Sequence, residues 1–245
     1  MAGAMARGWA AGEGGPETML FCDLDRGRAS SLAEAVDGET RDTLGELAGD
    51  SDLVVLATKP AALDDVARDL DPKPPAVLSL LAATPVARVK EAIPGIPVAR
   101  LMPNQPVEVR QGVLCLVGPE DLPADLRARL IDLLARLGKL VVVEETWIDA
   151  AMAVMACSPA YVALVAEALT NAGVEEGLDE ELASKLVVGT LGGTAALLEV
   201  RDPEAIRRAV APPGGATEAG LEALERGGLE GALADAVRAS LERFR

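Results

Sequence analysis

Hydrophobic positions follow different patterns in the two halves of the chain. Up to about residue 144, short and fully apolar runs alternate with stretches of helical period. Such runs are typical of strands that are buried on both faces of a parallel sheet. Beyond residue 144 the period is helical, and no further strand is predicted. The pattern therefore predicts an α/β domain with a doubly wound parallel sheet over residues 1–144 and an all-helical domain over residues 145–245.

The individual elements follow from the same pattern. The predicted strands are 18–22, 52–57, 76–81, 97–101, 112–117 and 139–143. The predicted helices are 2–12, 29–36, 61–70, 84–92, 123–137, 146–156, 159–176, 179–198, 202–210 and 216–226, followed by a last one near the end of the chain. Pro85 is expected at the first position of its helix. Glycines inside the long helices predict close helix–helix approach, as in an intertwined dimer; they are Gly173, Gly189, Gly192 and Gly193.

Composition narrows the function classes. The net charge of −16 argues against a nonspecific nucleic-acid surface and against binding to an anionic membrane. Unbroken apolar runs such as 53–58 are too short to span a bilayer. Three cysteines without metal spacing indicate reduced thiols in a cytoplasmic protein. The chain contains no histidine, so the commonest metal ligand and general base is missing, and no metal site is predicted.

An acidic residue at the end of the first predicted strand is a candidate for cofactor recognition. Asp23 follows 18–22, where dinucleotide folds place the carboxylate that binds the ribose 2′-hydroxyl. The alternatives are a helix cap or a surface charge. Arg26 and Arg28 lie close by and could instead meet a 2′-phosphate. The choice between NAD and NADP therefore stays open.

A turn rich in proline and glycine precedes the predicted helix 216–226. It reads Pro212-Pro213-Gly214-Gly215, and Thr217 is expected to cap or open the helix that follows. A glycine turn that feeds a helix N-terminus points backbone N–H groups at one spot, which suits a carboxylate. The alternative is an ordinary capped helix without a ligand.

Five segments in chain order resemble the pyrroline-5-carboxylate reductase family. They are Ala57-Thr58-Lys59-Pro60, the SLLAATP of 79–85, the RLMPNQP of 100–106, the CSPAY of 157–161 and the PPGGAT of 212–217. The resemblance covers nearly the whole chain and implies a Rossmann-type domain followed by a helical dimerisation domain. It implies hydride transfer from NAD(P)H to the C=N bond of 1-pyrroline-5-carboxylate, which gives L-proline in proline biosynthesis.

Site residues are carried over from the resemblance position by position. It implies substrate contacts at Gly214, Gly215, Ala216 and Thr217, with Thr217 orienting the imine. Lys59 is a candidate acid, although lining the cofactor channel or facing solvent is the simpler interpretation. The predicted cofactor-binding residues are Asp23, named above, and those that the resemblance adds, which are Met1, Ala57, Thr58, Lys59, Pro60, Leu81, Ala82 and Asn104. The implied partners are a small-molecule substrate and a second copy of the chain.

Several positions depart from the family pattern. Ala83 replaces a glycine, Gln105 replaces a threonine, and Met-Ala-Cys at 155–157 replaces Ser-Gly-Ser. Pro212 replaces a serine beside the glycine turn, which removes one hydrogen-bond donor from the expected carboxylate site. Two alternatives follow: a diverged, non-catalytic dimeric homologue, or a related imine or hydroxyacid reductase with a different substrate.

The opening of the chain also differs from the family pattern. In the family a strand and a G-x-G loop come first, and Met1-Ala2 falls on the M-A that follows them. The resemblance implies that this strand would lie between 18–22 and 52–57. The two explanations are a start codon assigned too late and a shortened product. We expect poor cofactor binding by the 245 residues alone.

Overall fold

The computed structural model describes residues 1–244, which form two units. The first comprises Met1–Cys157 with Arg243 and Phe244, and the second is Ser158–Glu242. The sequence placed the domain boundary after residue 144. The contacts instead place residues 145–157 with the first unit, because Ile148 and Met152 are buried against strand residues of that unit.

The first unit contains short strands arranged in two sheets. The strands are β1 Leu20–Phe21, β2 Glu39–Thr40, β3 Val54–Leu56, β4 Val77–Ser79, β5 Val98–Pro103, β6 Gly112–Val117 and β7 Gly138–Val142. Within the described residues, β1 pairs with β2, and the remaining strands form a sheet in the order β3-β4-β5-β6-β7. All predicted strands are found, and the first three along the chain are shorter than expected.

Helices connect these strands and make up the second unit. Those of the first unit are α1 Ala2–Ala10, α2 Arg26–Ala35, α3 Leu44–Gly49, α4 Leu63–Asp69, α5 Val86–Ala92, α6 Ala124–Ala135 and α7 Ile148–Ala151. Short 3₁₀ turns lie at Pro60–Ala62, Gln105–Val109, Pro119–Asp121 and Glu145–Trp147, and a π-helix follows α7 at Met152–Ala156. The later helices are α8 Ser158–Glu175, α9 Glu180–Leu198, α10 Pro203–Val210, α11 Ala216–Arg226 and α12 Leu229–Phe244.

The predicted fold class is confirmed, with one exception in strand direction. The β5–β6 ladder is antiparallel, with Arg100 opposite Val117 and Pro103 opposite Leu114. The other ladders are parallel. A parallel crossover needs about a dozen residues or more, and the short 3₁₀ connection between β5 and β6 cannot supply it. The expectation of a wholly parallel sheet is therefore wrong at this ladder.

Two short elements, β2 and α3, were missed by the sequence analysis. Both residues of β2 are exposed. Helix α3 depends on its cap, in which the Glu46 N–H donates to Thr43 Oγ1 at 3.1 Å and the Thr43 N–H donates to Glu46 Oε2 at 3.2 Å. This T-x-x-E capping box was the available sequence signal. The position of Pro85 was also predicted wrongly, since it is the extended N-cap of α5 and not its first helical residue.

The larger sheet has apolar clusters on both faces, as its strand pattern requires. Successive residues of β4 alternate between them: Leu78 belongs to the cluster that includes Met5 of α1 and Leu130 of α6, whereas Val77 belongs to the one that includes Val89 of α5. Side chains on a strand point alternately to opposite faces. A strand that is covered on both faces is therefore apolar along its whole length.

The second unit exposes much of its apolar surface. Leu164, Leu186 and Val188 on α8 and α9 are exposed by 64%, 53% and 62%. Gly173 packs against Leu178 and Ala183, as its predicted role in close packing requires. A side chain at Gly189, by contrast, would meet nothing within 4 Å in the described chain.

Two helical stretches are long and apolar enough to cross a bilayer by length and composition alone. They are Glu145–Glu175, with a mean hydropathy of 1.7, and Glu180–Leu198, with 1.2. The expectation that no stretch is long enough considered only unbroken apolar runs, and it is wrong on this broader criterion. Core helices of soluble proteins meet the same criterion, so it does not by itself indicate a membrane protein.

Ala83 gives the first testable prediction. Its φ is +49°, in the left-handed region that favours glycine, and this is a position where the chain departs from a family glycine. We expect Ala83→Gly to stabilise the protein by about 1 kcal/mol, because it relieves the Cβ clash at a smaller cost in unfolded-state entropy. Denaturant unfolding measures the change. Ala87→Gly in α5 is the control and should destabilise by about 1 kcal/mol; equal effects of the two changes would contradict the prediction.

Candidate functional site

Most predicted cofactor residues of the first unit lie just after the ends of strands. Asp23 follows β1, the segment 57–60 follows β3, and Leu81 and Ala82 follow β4. Open α/β sheets bind ligands outside the carboxyl ends of their strands. Met1, Asp23, Ala57 and Thr58 line one groove of about 1420 Å³. The other predicted residues are outside its lining.

The N-terminus of α1 lies at this groove. Met1 is its N-cap, and Ala2 and Gly3 also line the groove. The first helical hydrogen bond runs from the Met5 N–H to the Met1 carbonyl, so the preceding N–H groups have no partner within the helix. No side chain caps them in the described chain. Such an N-terminus fits the pyrophosphate of a dinucleotide.

The charged residues after β1 are paired among themselves. Asp23 accepts a hydrogen bond from the Asp25 N–H at 2.9 Å, and its other oxygen is 3.9 Å from Arg28 Nη1. Arg26 lies 3.3 Å from Asp42. All of these groups stay at the surface. Burial and the nearby carboxylate of Asp23 raise the pKa of the Cys22 thiol, so this groove-lining cysteine remains protonated near neutral pH.

The residues after β3 and β4 differ in accessibility. Lys59 and Pro60 are exposed, with Lys59 extended before the turn Pro60–Ala62. The side chain of Leu81 is buried, and its N–H donates to Ser79 Oγ at 3.3 Å. Ala82 is exposed, and its carbonyl accepts a hydrogen bond from Thr84 Oγ1 at 3.0 Å. The roles of these residues in cofactor binding stay predictions.

Asn104 holds the π-helix against the sheet. Its Oδ1 accepts the Val113 N–H at 2.8 Å, and its Nδ2 donates to the Met155 carbonyl at 3.1 Å. An α-helix would pair that carbonyl with the N–H four residues later, but Pro159 has none. The Asn104 amide supplies the missing donor. This buried position gives Asn104 a structural role, and its predicted cofactor contact remains untested.

Buried Arg100 forms an ion pair with the partly exposed Glu145, and the sequence analysis assigned this pair no role. Arg100 is 2% exposed, and its Nη1 lies 3.2 Å from Glu145 Oε1. The same oxygen accepts the Val86 N–H at 2.8 Å, at the start of α5. Nε and Nη2 of Arg100 have no hydrogen-bond partner among the described residues. An arginine within an otherwise apolar strand was the available signal.

The glycine turn of the second unit is arranged differently from the expectation. Gly214 has φ +75°, which glycine adopts without strain, and Gly215 is the N-cap of α11. Of the two roles predicted for Thr217, capping or opening the helix, the structure agrees with the second: Thr217 lies in the first turn of α11, and no side chain of the described residues caps this helix. The Gly214 N–H donates to Glu218 Oε2 at 2.6 Å. The Gly215 N–H donates to the Pro212 carbonyl at 2.9 Å.

Only part of the predicted carboxylate site is therefore available. Gly214 and Gly215 already use their N–H groups within the turn. Ala216 and Thr217 are both exposed in the first turn of α11, where N–H groups have no intrahelical acceptor. Their substrate-binding roles stay predictions.

Comparison with known proteins places the chain in a family. The pyrroline-5-carboxylate reductase of Synechocystis sp. is 33% identical over 232 residues, which cover 93% of this chain and 87% of the relative. The chain belongs to the pyrroline-5-carboxylate reductase family. A family model described as pyrroline-5-carboxylate reductase dimerisation matches residues 145–245. A model described as NADP oxidoreductase coenzyme F420-dependent matches residues 1–83.

Solved structures agree with this assignment. The 1-pyrroline-5-carboxylate reductase of Streptococcus pyogenes superposes with a TM-score of 0.89 at 28% identity, over 100% of this chain and 94% of the other. The pyrroline carboxylate reductase of Plasmodium falciparum, solved with NADP bound, superposes with a TM-score of 0.84 at 24% identity, over 98% of this chain and 92% of the other. At 24% identity, the likeness to the Plasmodium falciparum structure supports the fold alone.

The position of Asn104 gives a testable prediction. We expect Asn104→Ala to destabilise the protein by about 2 kcal/mol, because it leaves the Val113 N–H and the Met155 carbonyl without their partner. Thermal or denaturant unfolding measures the loss. Gln105→Ala, at the exposed neighbour, is the control and should change stability by less than about 0.5 kcal/mol. Unchanged stability of Asn104→Ala, with weaker cofactor binding, would instead support the predicted cofactor contact.

Proposed function

We propose that this protein is a pyrroline-5-carboxylate reductase, which transfers hydride from NAD(P)H to the C=N bond of 1-pyrroline-5-carboxylate and forms L-proline. Family membership over nearly the whole chain carries the proposal. The proposal includes a cytoplasmic location and a small-molecule substrate, with no nucleic-acid or membrane partner. The departures at Pro212 and 155–157 keep two other candidates: a diverged, non-catalytic dimeric homologue, and a related imine or hydroxyacid reductase with a different substrate.

The bound nicotinamide supplies the hydride, so the protein needs mainly to bind and orient the substrate. In the proposal, the N–H groups of Ala216 and Thr217 hold the substrate carboxylate, and the Thr217 hydroxyl orients the ring nitrogen. The imine is basic enough to arrive protonated, so no histidine is required. This assignment agrees with a chain that contains none.

Glu218 bears directly on this carboxylate site. Its Oε2 accepts the Gly214 N–H, so a protein carboxylate already binds one donor of the glycine turn. A substrate carboxylate at the same helix start would be repelled by this charge. Glu218 is therefore expected to weaken substrate binding.

Cofactor choice between NADP and NAD remains open in the proposal. Asp23 at the end of β1 favours the free 2′-hydroxyl of NAD. Arg28, 3.9 Å from that carboxylate and largely exposed, is placed where it could meet a 2′-phosphate. Neither group is buried, so both cofactors are compatible with this surface.

Association into a homodimer is the second part of the proposal. The dimerisation model matches residues 145–245, which supports homo-oligomerisation. The exposed apolar side chains of α8 and α9, and glycines such as Gly189 and Gly192 with open space above them, provide a surface for a second copy. Exposed apolar surface of this extent marks an interaction site.

The reductase proposal is tested with the purified protein, NADH or NADPH, and pyrroline-5-carboxylate, by the loss of nicotinamide absorbance. We expect cofactor oxidation that depends on this substrate. Thr217→Ala should lower kcat/KM by about tenfold or more, equivalent to roughly 1.4 kcal/mol of transition-state stabilisation. Unchanged kinetics would remove Thr217 from the mechanism. Turnover of other imines only would favour the related reductase.

Glu218→Gln, at the residue after Thr217, is a second variant that tests the carboxylate site. We expect it to lower KM for pyrroline-5-carboxylate by about two- to fivefold, the range of an exposed charge interaction, with kcat nearly unchanged. The effect should shrink at high salt, because exposed charges are screened. A KM that rises in this variant would show that Glu218 supports the turn more than it repels the substrate.

The dimer is tested by light scattering at micromolar concentration. We expect twice the monomer mass, or a multiple of it. Leu186→Glu should weaken association, because it places a charge on the exposed apolar face of α9. Glu181→Gln, at the acidic start of the same helix, is the control. A monomeric protein without any substitution would contradict this part of the proposal.

A further inference from the structure

The loop 80–85 connects β4 to α5 and carries Leu81 and Ala82, two of the predicted cofactor residues. At its centre, Ala83 has φ +49°, a left-handed conformation that costs energy for a residue with a Cβ. Such a conformation persists only where the surrounding structure fixes it. The contacts that hold the two ends of this loop therefore determine its shape.

The start of the loop is bonded to the ends of β3 and β4. The Leu80 N–H donates to the Leu56 carbonyl at 2.8 Å. The Leu81 N–H donates to Ser79 Oγ at 3.3 Å, and the Ser79 side chain is fully buried. Neither of these bonds reaches Pro85, at the other end of the loop.

The end of the loop is held by Glu145, which is distant in sequence. Pro85 is the N-cap of α5, and its ring offers no acceptor to the helix. The N–H of Val86, the first helical residue, donates to Glu145 Oε1 at 2.8 Å. The first N–H groups of a helix have no acceptor within it, so this bond replaces a local cap. Because the acceptor is a carboxylate, the bond is stronger than one between neutral groups.

Arg100 orients the Glu145 carboxylate. Its Nη1 lies 3.2 Å from the same Oε1, and Glu145 is the one acidic residue within 4 Å of the guanidinium among the described residues. Arg100 lies directly opposite Ser79 in the β4–β5 ladder. The start of the loop is thus tied to Ser79, and its end is tied through Glu145 to Arg100, on facing positions of two neighbouring strands.

We propose that Glu145 is a positioning residue of the reductase: its carboxylate, oriented by Arg100, fixes the start of α5 and with it the loop 80–85. The inference rests on the proposed function, since it takes Leu81 and Ala82 to border the bound nicotinamide. A displaced loop would misalign the reacting atoms without removing a contact to the substrate carboxylate. Turnover should therefore decrease more than substrate binding.

Two double variants separate the hydrogen bond to Val86 from the ion pair. Both carry Arg100→Met. One adds Glu145→Gln, whose amide oxygen can still accept the Val86 N–H, and the other adds Glu145→Met, which cannot. Replacing both members of a buried ion pair by uncharged side chains often leaves stability unchanged, whereas removing one member leaves an uncompensated charge. The two versions should therefore unfold at similar denaturant concentrations and differ mainly in the acceptor.

Amide hydrogen exchange is the first measurement, and it does not require enzyme activity. We expect Leu81 and Val86 to exchange about tenfold or more faster in the Glu145→Met version than in the Glu145→Gln version. Val54, whose N–H is bonded to the Ala76 carbonyl in the same sheet, should exchange equally in both. Equal exchange of Leu81 in the two versions would overturn the proposal, whatever happens at Val86, because the cap would then not hold the loop.

Turnover of pyrroline-5-carboxylate with NADH or NADPH is the second measurement. We expect kcat of the Glu145→Met version to be about tenfold or more below that of the Glu145→Gln version, with KM for the substrate within about threefold. Equal kcat values, or a difference confined to KM, would overturn the positioning role. If the protein without substitutions also fails to turn over, the proposed function fails, and exchange at Leu81 still decides whether Glu145 holds the loop.

Discussion

Backbone pairing between neighbouring strands is the constraint on which the first unit depends. Strands β5 and β6 have six residues each and are paired on both sides, whereas β1 has two residues and β3 has three, each with one partner strand. The regular ladder is thus shortest beside the groove. Asp23, Ala57 and Thr58 follow these two short strands and line the groove, so the pairing of β1 with β2 and of β3 with β4 positions these candidate cofactor residues.

Polar groups attach residues 145–157 to the sheet of the first unit. Asn104 supplies a donor to the carbonyl that Pro159 leaves unpaired, and Glu145 links buried Arg100 to the start of α5. A buried charge that loses its partner is strongly destabilising, so the Arg100–Glu145 pair fixes this connection once it has formed. These contacts explain why the first unit extends past residue 144 to Cys157.

Local pattern was enough to predict the architecture but not its details. The strands with unbroken apolar runs were all found, because burial on both faces leaves a clear sequence signal. Strand direction at β6 depended on the length of the preceding connection, and α3 on a two-residue capping box. Asn104 could be recognised as part of a motif, yet its partners Val113 and Met155 are brought to it only by the fold. Long-range hydrogen bonds of this kind have no local signature.

The apolar helices of the second unit illustrate how composition alone can mislead. In the single chain, only 17% and 6% of the most apolar segments of these two helical stretches are buried, whereas core helices of soluble proteins are mostly buried. Glycines at 189, 192 and 193 have open space above them, which would let a second backbone approach closely. Charged residues at the start and near the middle of α9, Glu180, Glu181 and Lys185, would be costly in a bilayer and acceptable at the rim of a protein interface. The match to a dimerisation model supports homo-oligomerisation through this part of the chain.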